Sequence, residues 1–204
     1  LALNITEVRD FLFIHVPKTG GVSVRKALEP YSYIGVDGEH TPIKAAQFAP
    51  YVGKYFSFCF VRNPWDRFVS SYFYLNRGGA NTRPDKKAYA MYIEPYKTFK
   101  DVVMNIDEDK GNLFFWDHFA PQMNYITDDH DDVAVDFIGR FENINEDFGV
   151  VCKKIGIPSV NLPLLNTSPH QPYWEYYDDE SREMIFRKYN RELNHFNYTF
   201  AYDG

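Results

Sequence analysis

The residues best suited to chemistry stand in a short segment, Pro17 to Ser23, which follows an apolar run that begins at Phe11. Its two glycines let backbone N–H groups approach an anion, and a helix beginning there would add unpaired N–H groups and the positive end of its dipole. The lysine precedes the glycines, so the segment differs from the G-x-x-x-x-G-K-[ST] loop that binds ATP. The residues predicted to bind a phosphate-like anion are Lys18, Thr19, Gly20, Gly21, Val22 and Ser23.

A second candidate anion site follows another apolar run, which starts at Lys54 and ends in Arg62. A triphosphate hydrolase would place a magnesium-binding Asp at such a strand end. Arginine instead offers a fork of donors suited to a phosphate monoester, and Ser70 adds a hydroxyl on the helix that follows. The sequence therefore predicts two anion sites, one at each of two strand ends.

The two segments together resemble the sulfotransferases that use 3′-phosphoadenosine-5′-phosphosulfate (PAPS). In that family a P-K-[TS]-G-[GT]-x-[ST] loop binds the 5′-phosphosulfate, and an R-N-P-x-x-R-x-x-S-x-[YF] segment binds the 3′-phosphate. Pro17–Ser23 and Arg62–Tyr72 match both patterns in order and separation, although Val22 stands where many relatives carry a hydroxyl. The resemblance implies PAPS as co-substrate, adenosine-3′,5′-bisphosphate (PAP) as product, and no metal.

Later segments resemble the membrane-type, family 2-like carbohydrate sulfotransferase branch and its bacterial relatives. They begin at His118, Asp136 and Asn166, so the resemblance covers nearly the whole chain. By this resemblance Asn166, Ser168 and Tyr177 belong to a late loop that closes over the nucleotide. His118 and Gln122 are expected to bind the acceptor.

Sulfuryl transfer to a hydroxyl also requires a general base, and histidine is the commonest choice because its pKa lies near neutrality. His40 follows the second predicted strand, and a histidine at that place acts as the base in carbohydrate sulfotransferases of this branch. Other branches use a glutamate, so Glu39 is the alternative base and otherwise a substrate-binding residue. His15, within the first predicted strand, is expected to be a packed or hydrogen-bonded core imidazole.

The order of elements predicts an α/β fold. Strands are predicted near residues 10–16, 31–36, 54–62 and 133–140, and helices at 22–29, 41–50, 64–77, 98–105, 143–155 and 178–189. This alternation favours a parallel sheet flanked by helices on both faces, and the resemblance implies a P-loop nucleotide-kinase-like sulfotransferase fold. Ligands of such sheets bind at the carboxyl ends of the strands, where both anion motifs fall. Residues 78–85 predict a mobile loop that is our candidate acceptor lid.

The formal net charge of −6 hides a segregation of charge along the chain. Residues 62–100 hold eight Lys or Arg against three acidic residues, whereas residues 101–136 hold one Lys against ten. The acidic block lacks a glycine-bearing calcium loop and is interpreted as a solvated face rather than a metal site. Overall acidity disfavours a densely sulfated acceptor and favours a neutral or lightly charged carbohydrate hydroxyl, with no nucleic acid as partner.

With 204 residues, of which 45% are hydrophobic, the chain is expected to form one domain over residues 1–204. It contains no run of 18 apolar residues, so no membrane span is predicted. A bacterial cytoplasm is the favoured location, with a Golgi-lumen catalytic domain as the alternative; oligomeric state has no readable signal. Two other functions stay open: a P-loop nucleotide or sugar kinase that needs ATP and magnesium, and a non-catalytic module that binds nucleotides or glycans.

Overall fold

A computed structural model describes residues 8–34, 40–106, 113, 116–163 and 170–200. In chain order its elements are β1 (Val8–Ile14), α1 (Gly21–Leu28), β2 (Ser32–Ile34), β3 (Phe56–Val61), α2 (Pro64–Asn76), α3 (Arg83–Tyr92), α4 (Phe99–Met104), α5 (Met123–Ile126), β4 (Phe137–Arg140), α6 (Ile144–Ile155), α7 (Asp179–Lys188) and α8 (Asn190–Phe196). Short 3₁₀ turns at Phe141–Asn143 and Tyr173–Tyr176 precede α6 and α7. The chain divides into two compact units, residues 1–62 with 122–167 and residues 63–121 with 168–204. The expectation of one domain stays a prediction.

The first unit is built on a parallel sheet. Within the described part of the chain the sheet has four strands in the order β2-β1-β3-β4, and each neighbouring pair runs parallel. Phe13 of β1 lies opposite Phe58 of β3, and Val61 of β3 lies opposite Arg140 of β4. The predicted α/β fold with a parallel sheet is confirmed.

Both faces of the two central strands are buried, which explains why their sequences are continuous apolar runs rather than alternating ones. On one face Phe13 and Phe60 pack with Val24 of α1 and Phe148 of α6 in a single cluster. Residues that point the other way, such as Leu12 and Cys59, are equally inaccessible to solvent. Burial on both faces fixes the last residues of each central strand. The residues that directly follow β1 and β3 are positioned as a result.

The second unit consists of helices around an aromatic cluster that includes Trp65, Phe68 and Tyr189. Local sequence sets several of the helix starts. The side chain of Asn63 accepts a hydrogen bond from the Trp65 N–H at the start of α2, and Thr98 begins α4 with a capping box. Such caps satisfy N–H groups that have no partner inside the helix. The predicted helices at 64–77, 98–105, 143–155 and 178–189 are confirmed as α2, α4, α6 and α7.

The predicted helix at residues 41–50 is wrong. This segment is a series of turns, in which Phe48 N–H donates to the Ala45 carbonyl at 2.8 Å and Tyr51 N–H donates to the Phe48 carbonyl at 2.8 Å. Prolines 42 and 50 bracket the segment, and proline has no N–H for a helical hydrogen bond. Ile43 N–H is bonded instead to the Tyr125 carbonyl, so a tertiary contact sets the path of the chain.

The predicted loop at residues 78–85 is shorter than expected, because α3 already begins at Arg83. Thr82 caps this helix by accepting the Asp85 N–H, and a proline lies in its first turn, where it is tolerated. The carboxylate of Asp85 is buried and accepts hydrogen bonds from the Ala80 N–H and the Thr82 hydroxyl. The turn before α3 is therefore fixed by its own carboxylate.

Candidate functional site

The predicted anion loop connects β1 to α1 and turns through two residues in the left-handed region. Lys18 has φ +66° and Gly20 has φ +81°. This conformation is uncommon for a residue with a side chain, and such residues concentrate at functional sites. The Thr19 hydroxyl donates to the Val16 carbonyl at 2.9 Å, which closes the turn from inside. The backbone N–H of Ser23 donates to the Gly20 carbonyl at 3.0 Å, as the first turn of α1 forms.

Both glycines of the loop stand where a side chain would not fit. A Cβ on Gly21 would lie 2.0 Å from Cδ2 of the His15 ring, and a Cβ on Gly20 would lie 2.6 Å from Cδ1 of Ile144. The start of α1 is therefore packed directly against two other elements of the first unit. The backbone at this point is as bare as a phosphate-binding turn requires. Val22 is exposed at the surface of the same turn.

Arg62, the residue after β3, is tied to the anion loop. Its Nη1 donates to the Lys18 carbonyl at 3.3 Å, and only 8% of its surface is exposed. Its guanidinium carbon lies 4.1 Å from the centroid of the Phe141 ring. The two cationic residues that the sequence places on separate strand ends are thus joined by a direct hydrogen bond.

The backbone of Arg62 is held by the side chain of Gln122. Arg62 N–H donates to Oε1 of Gln122 at 2.8 Å, and Nε2 of Gln122 donates to the Arg62 carbonyl at 2.9 Å. Gln122 itself is fully buried. The prediction that Gln122 binds the acceptor gains no support from this placement, since both of its amide atoms are used to hold Arg62.

His15 and His40 lie side by side at the end of β1. Their ring centroids are 4.6 Å apart and the rings meet edge to face at 65°. His15 is one residue beyond the strand and only 9% exposed, so the expected packed imidazole is confirmed. Burial, followed by the nearby His40 and Arg25, lowers the pKa of His15 to about 3, and the ring is neutral at physiological pH.

Ser70 lies on α2 in the second unit and is buried. Ser71 beside it donates to the carbonyls of Arg67 and His118, at 2.9 and 2.7 Å. Arg67 is also buried, and its Nη2 donates to the Ala120 carbonyl at 2.6 Å. Arg67 and Ser71 thus hold the second unit together, whereas the predicted phosphate contact of Ser70 stays a prediction.

Two further predicted residues lie among aromatic rings of the second unit. His118 is 9% exposed and meets the ring of Tyr74 edge to face, with centroids 4.7 Å apart. The Tyr177 hydroxyl donates to the Trp65 carbonyl at 2.9 Å. Their roles toward acceptor and nucleotide stay predictions. Glu39, Asn166 and Ser168 lie outside the described residues.

Sequence reasoning missed three contributors to the first unit: the His15 contact with His40, Phe141 beneath Arg62, and Gln122 behind it. The contact of Phe141 with the Arg62 guanidinium joins residues far apart in the chain. No local spacing indicates such pairs. One usable signal was the aromatic residue directly after Arg140, at the end of the strand that neighbours β3.

These features define an α/β protein with a glycine-containing loop, our predicted anion loop, between its first strand and first helix. Comparison with known proteins names the family. The Sulfotransferase family profile (Sulfotransfer_2) matches residues 2–199, and the chain belongs to this family. A protein of Archaeoglobus fulgidus, described as uncharacterized, is 34% identical over 119 residues, which span 58% of this chain and 82% of that protein.

Family membership supports sulfotransfer activity in general, which confirms the predicted class of enzyme. Family membership alone does not identify the sulfuryl donor, the acceptor or the general base. Among the residues that the structure describes, no helix combines the length and apolar character needed to cross a membrane.

Proposed function

We propose that this protein transfers the sulfuryl group of PAPS to a hydroxyl of a carbohydrate acceptor. The observation that carries the proposal is the hydrogen bond from Arg62 to the Lys18 carbonyl, at 3.3 Å. This hydrogen bond joins the residue that follows β3 to the loop that follows β1. A sulfuryl donor with charge at both its 5′ and 3′ positions needs cationic groups in that arrangement. An anion loop alone would fit many phosphate ligands equally well.

The backbone of the loop supports binding of a phosphosulfate. Its two glycines have no side chain where a Cβ would meet His15 and Ile144, and the partly buried Lys18 belongs to the same turn. Lys18 would neutralise the bridging and departing oxygens, while amides from Thr19 onward hold the 5′-phosphate. Arg62 would bind the 3′-phosphate, with Ser70 as the second donor implied by the motif. No metal is part of this proposal.

The transfer itself exchanges one sulfur–oxygen bond for another. The acceptor oxygen forms a bond to sulfur while the bond from sulfur to the bridging 5′-phosphate oxygen breaks, and PAP leaves with that oxygen and its electron pair. The proton of the acceptor hydroxyl passes to the imidazole of His40, with Glu39 as the alternative base. Catalysis of this kind depends on positioning and charge stabilisation more than on covalent work by the protein.

A neutral or lightly charged sugar is the favoured acceptor. The net charge of −6 would repel a densely sulfated polymer. Two anion-binding cations in the first unit are committed to the donor under this proposal. A hydroxyl without charge of its own needs only the base and a surface on which to lie.

The decisive experiment pairs binding with turnover. Calorimetry with PAP, adenosine-5′-phosphate and ATP with magnesium is expected to show tightest binding of PAP, and Arg62→Ala should weaken PAP far more than adenosine-5′-phosphate. Transfer of radiolabelled sulfate from PAPS to a panel of sugars should fall about 100-fold or more in Lys18→Ala and in His40→Ala. Preference for ATP with magnesium would point to a kinase, and PAP binding without transfer to any sugar would point to a binding module.

A further inference from the structure

His15 is a polar residue whose surroundings suit an apolar side chain. Its ring stacks on Phe13 at 5.9 Å between centroids and 19° between planes, and it packs so closely on Gly21 that a Cβ there would lie 2.2 Å from Nε2. Phenylalanine is a ring of similar size, and Phe13, on which His15 stacks, packs in turn against Phe58. The position therefore holds an imidazole where packing alone would favour a hydrocarbon ring.

The imidazole of His15 has a free-energy cost for folding that its packing does not explain. Nδ1 of His15 is buried and has no hydrogen-bond partner among the described residues. A buried polar atom left in that state destabilises a fold, and in native proteins it calls for an explanation. The contact that distinguishes this ring from its phenylalanine neighbours is the one with His40, whose centroid lies 4.6 Å away.

We propose that His15 is a positioning residue for the base, a rigid ring fixed by Phe13 and Gly21 that sets the orientation of the His40 imidazole. This inference rests on the proposed function, in which His40 accepts the proton. His40 itself is partly exposed, and the edge-to-face contact with the buried ring of His15 favours one direction of its imidazole. A base held in one orientation loses less freedom when the acceptor arrives.

Neutrality is part of the role. Among the residues that the structure describes, the charged or titratable groups that act on His15 are His40 and Arg25, and both oppose a positive charge there, in addition to the larger effect of burial. When His40 takes the acceptor proton, it becomes cationic beside a neutral ring rather than beside a second charge.

A double-mutant cycle on the full chain tests the proposal, with His15→Phe and His40→Ala as the two changes. His15→Phe is expected to keep the melting temperature and the calorimetric affinity for PAP, because packing and the donor loop are preserved. Its kcat should fall about 10- to 100-fold. In the His40→Ala background the same change should cost nothing further, because His15 acts through His40. Equal losses in both backgrounds, or an unchanged kcat, would overturn the proposal.

His195 provides the matched control, since it is exposed on α8, and His195→Gln should leave all of these quantities unchanged. If the wild-type protein transfers no sulfate, the proposed function fails. NMR still tests whether His15 orients the His40 ring, because the His40 ring resonances should then shift and broaden in His15→Phe. Unaltered His40 resonances would refute the positioning role on their own. If His15→Phe does not fold, His15→Gln takes its place in the cycle and in the NMR comparison.

Discussion

The guanidinium of Arg62 lies face-on over the ring of Phe141, with 4.1 Å between the guanidinium carbon and the ring centroid. Phe141 follows β4, the strand that pairs with β3. The strand neighbour thus supplies a platform for the arginine, while Gln122 fixes the arginine backbone from behind. A cation placed over an aromatic ring is attracted to its face, so Phe141 helps to fix the position of the Arg62 guanidinium.

Replacing Phe141 with leucine should therefore weaken PAP binding, because Arg62 loses the ring that helps to fix its guanidinium. Leucine keeps the apolar contact but lacks the ring face, and a partly buried cation–π contact stabilises by about 0.5–2 kcal/mol. We expect calorimetry to show PAP binding weakened by about 2- to 30-fold. Phe186→Leu, at an exposed position on α7, is the control and should leave PAP affinity unchanged. Identical PAP affinity in Phe141→Leu and wild type would mean that the ring does not set the arginine geometry.

Gln122 offers a test of how much the Arg62 backbone depends on one side chain. Gln122→Met keeps the volume but removes both hydrogen bonds, leaving a buried N–H and a buried carbonyl of Arg62 without these partners. The free energy of unfolding should fall by about 2 kcal/mol or more, as measured by urea denaturation. Gln47→Met, at an exposed site, should have little effect. A loss no larger than that of the control would show that the two hydrogen bonds add nothing net.

The sequence was enough to predict the parallel sheet and the position of the glycine turn after its first strand, because buried strands and glycine turns leave strong local patterns. Lys18 and Arg62 fall at strand ends as expected. The helix predicted at 41–50 failed because its path depends on the bond between Ile43 and Tyr125, which no local pattern encodes. The same holds for the supports of Arg62, since Gln122 and Phe141 meet it only after the sheet has formed. Local patterns were sufficient to predict the strands, whereas contacts between distant parts of the chain could not be predicted from them.

The two helical glycines of the first unit make a matched pair for stability. Gly21→Ala places a methyl group 2.0 Å from Cδ2 of His15, whereas Gly149→Ala on α6 meets only Oγ of Ser159 at 3.6 Å. Gly149→Ala should raise the free energy of unfolding by about 0.5–1 kcal/mol through reduced backbone entropy. Gly21→Ala should lower it by about 1–3 kcal/mol and weaken PAP binding, because the loop must shift. Equal effects of the two changes would contradict the close packing of His15 on the helix start.

Asp85 should control the ionisation of Tyr74. Burial and then the Asp85 carboxylate raise the pKa of Tyr74 to about 12, and the hydroxyl lies 3.1 Å from Oδ2 of Asp85. Asp85→Asn removes the negative charge, so the pKa of Tyr74 should fall while remaining above its ordinary value through burial. Titration of the tyrosine ring carbons by NMR measures this shift. Asp129→Asn, at an exposed site, should leave the Tyr74 titration unchanged.

His15 should make the stability of the protein depend on pH. The unfolded chain binds a proton at this residue near the ordinary pKa of 6.5, whereas the folded protein does so only near pH 3. Between these values the unfolded state binds more protons, so stability is complete above pH 6.5 and falls as the pH drops, by up to about 1.4 kcal/mol per pH unit. His15→Phe removes this group and leaves the other titrating residues in place. Urea denaturation of both proteins at pH 7, 6 and 5 should give curves that diverge toward acid, with the wild type losing more stability. Parallel pH dependences would show that His15 is protonated in the folded state, and the picture of one neutral and one proton-accepting histidine would no longer hold.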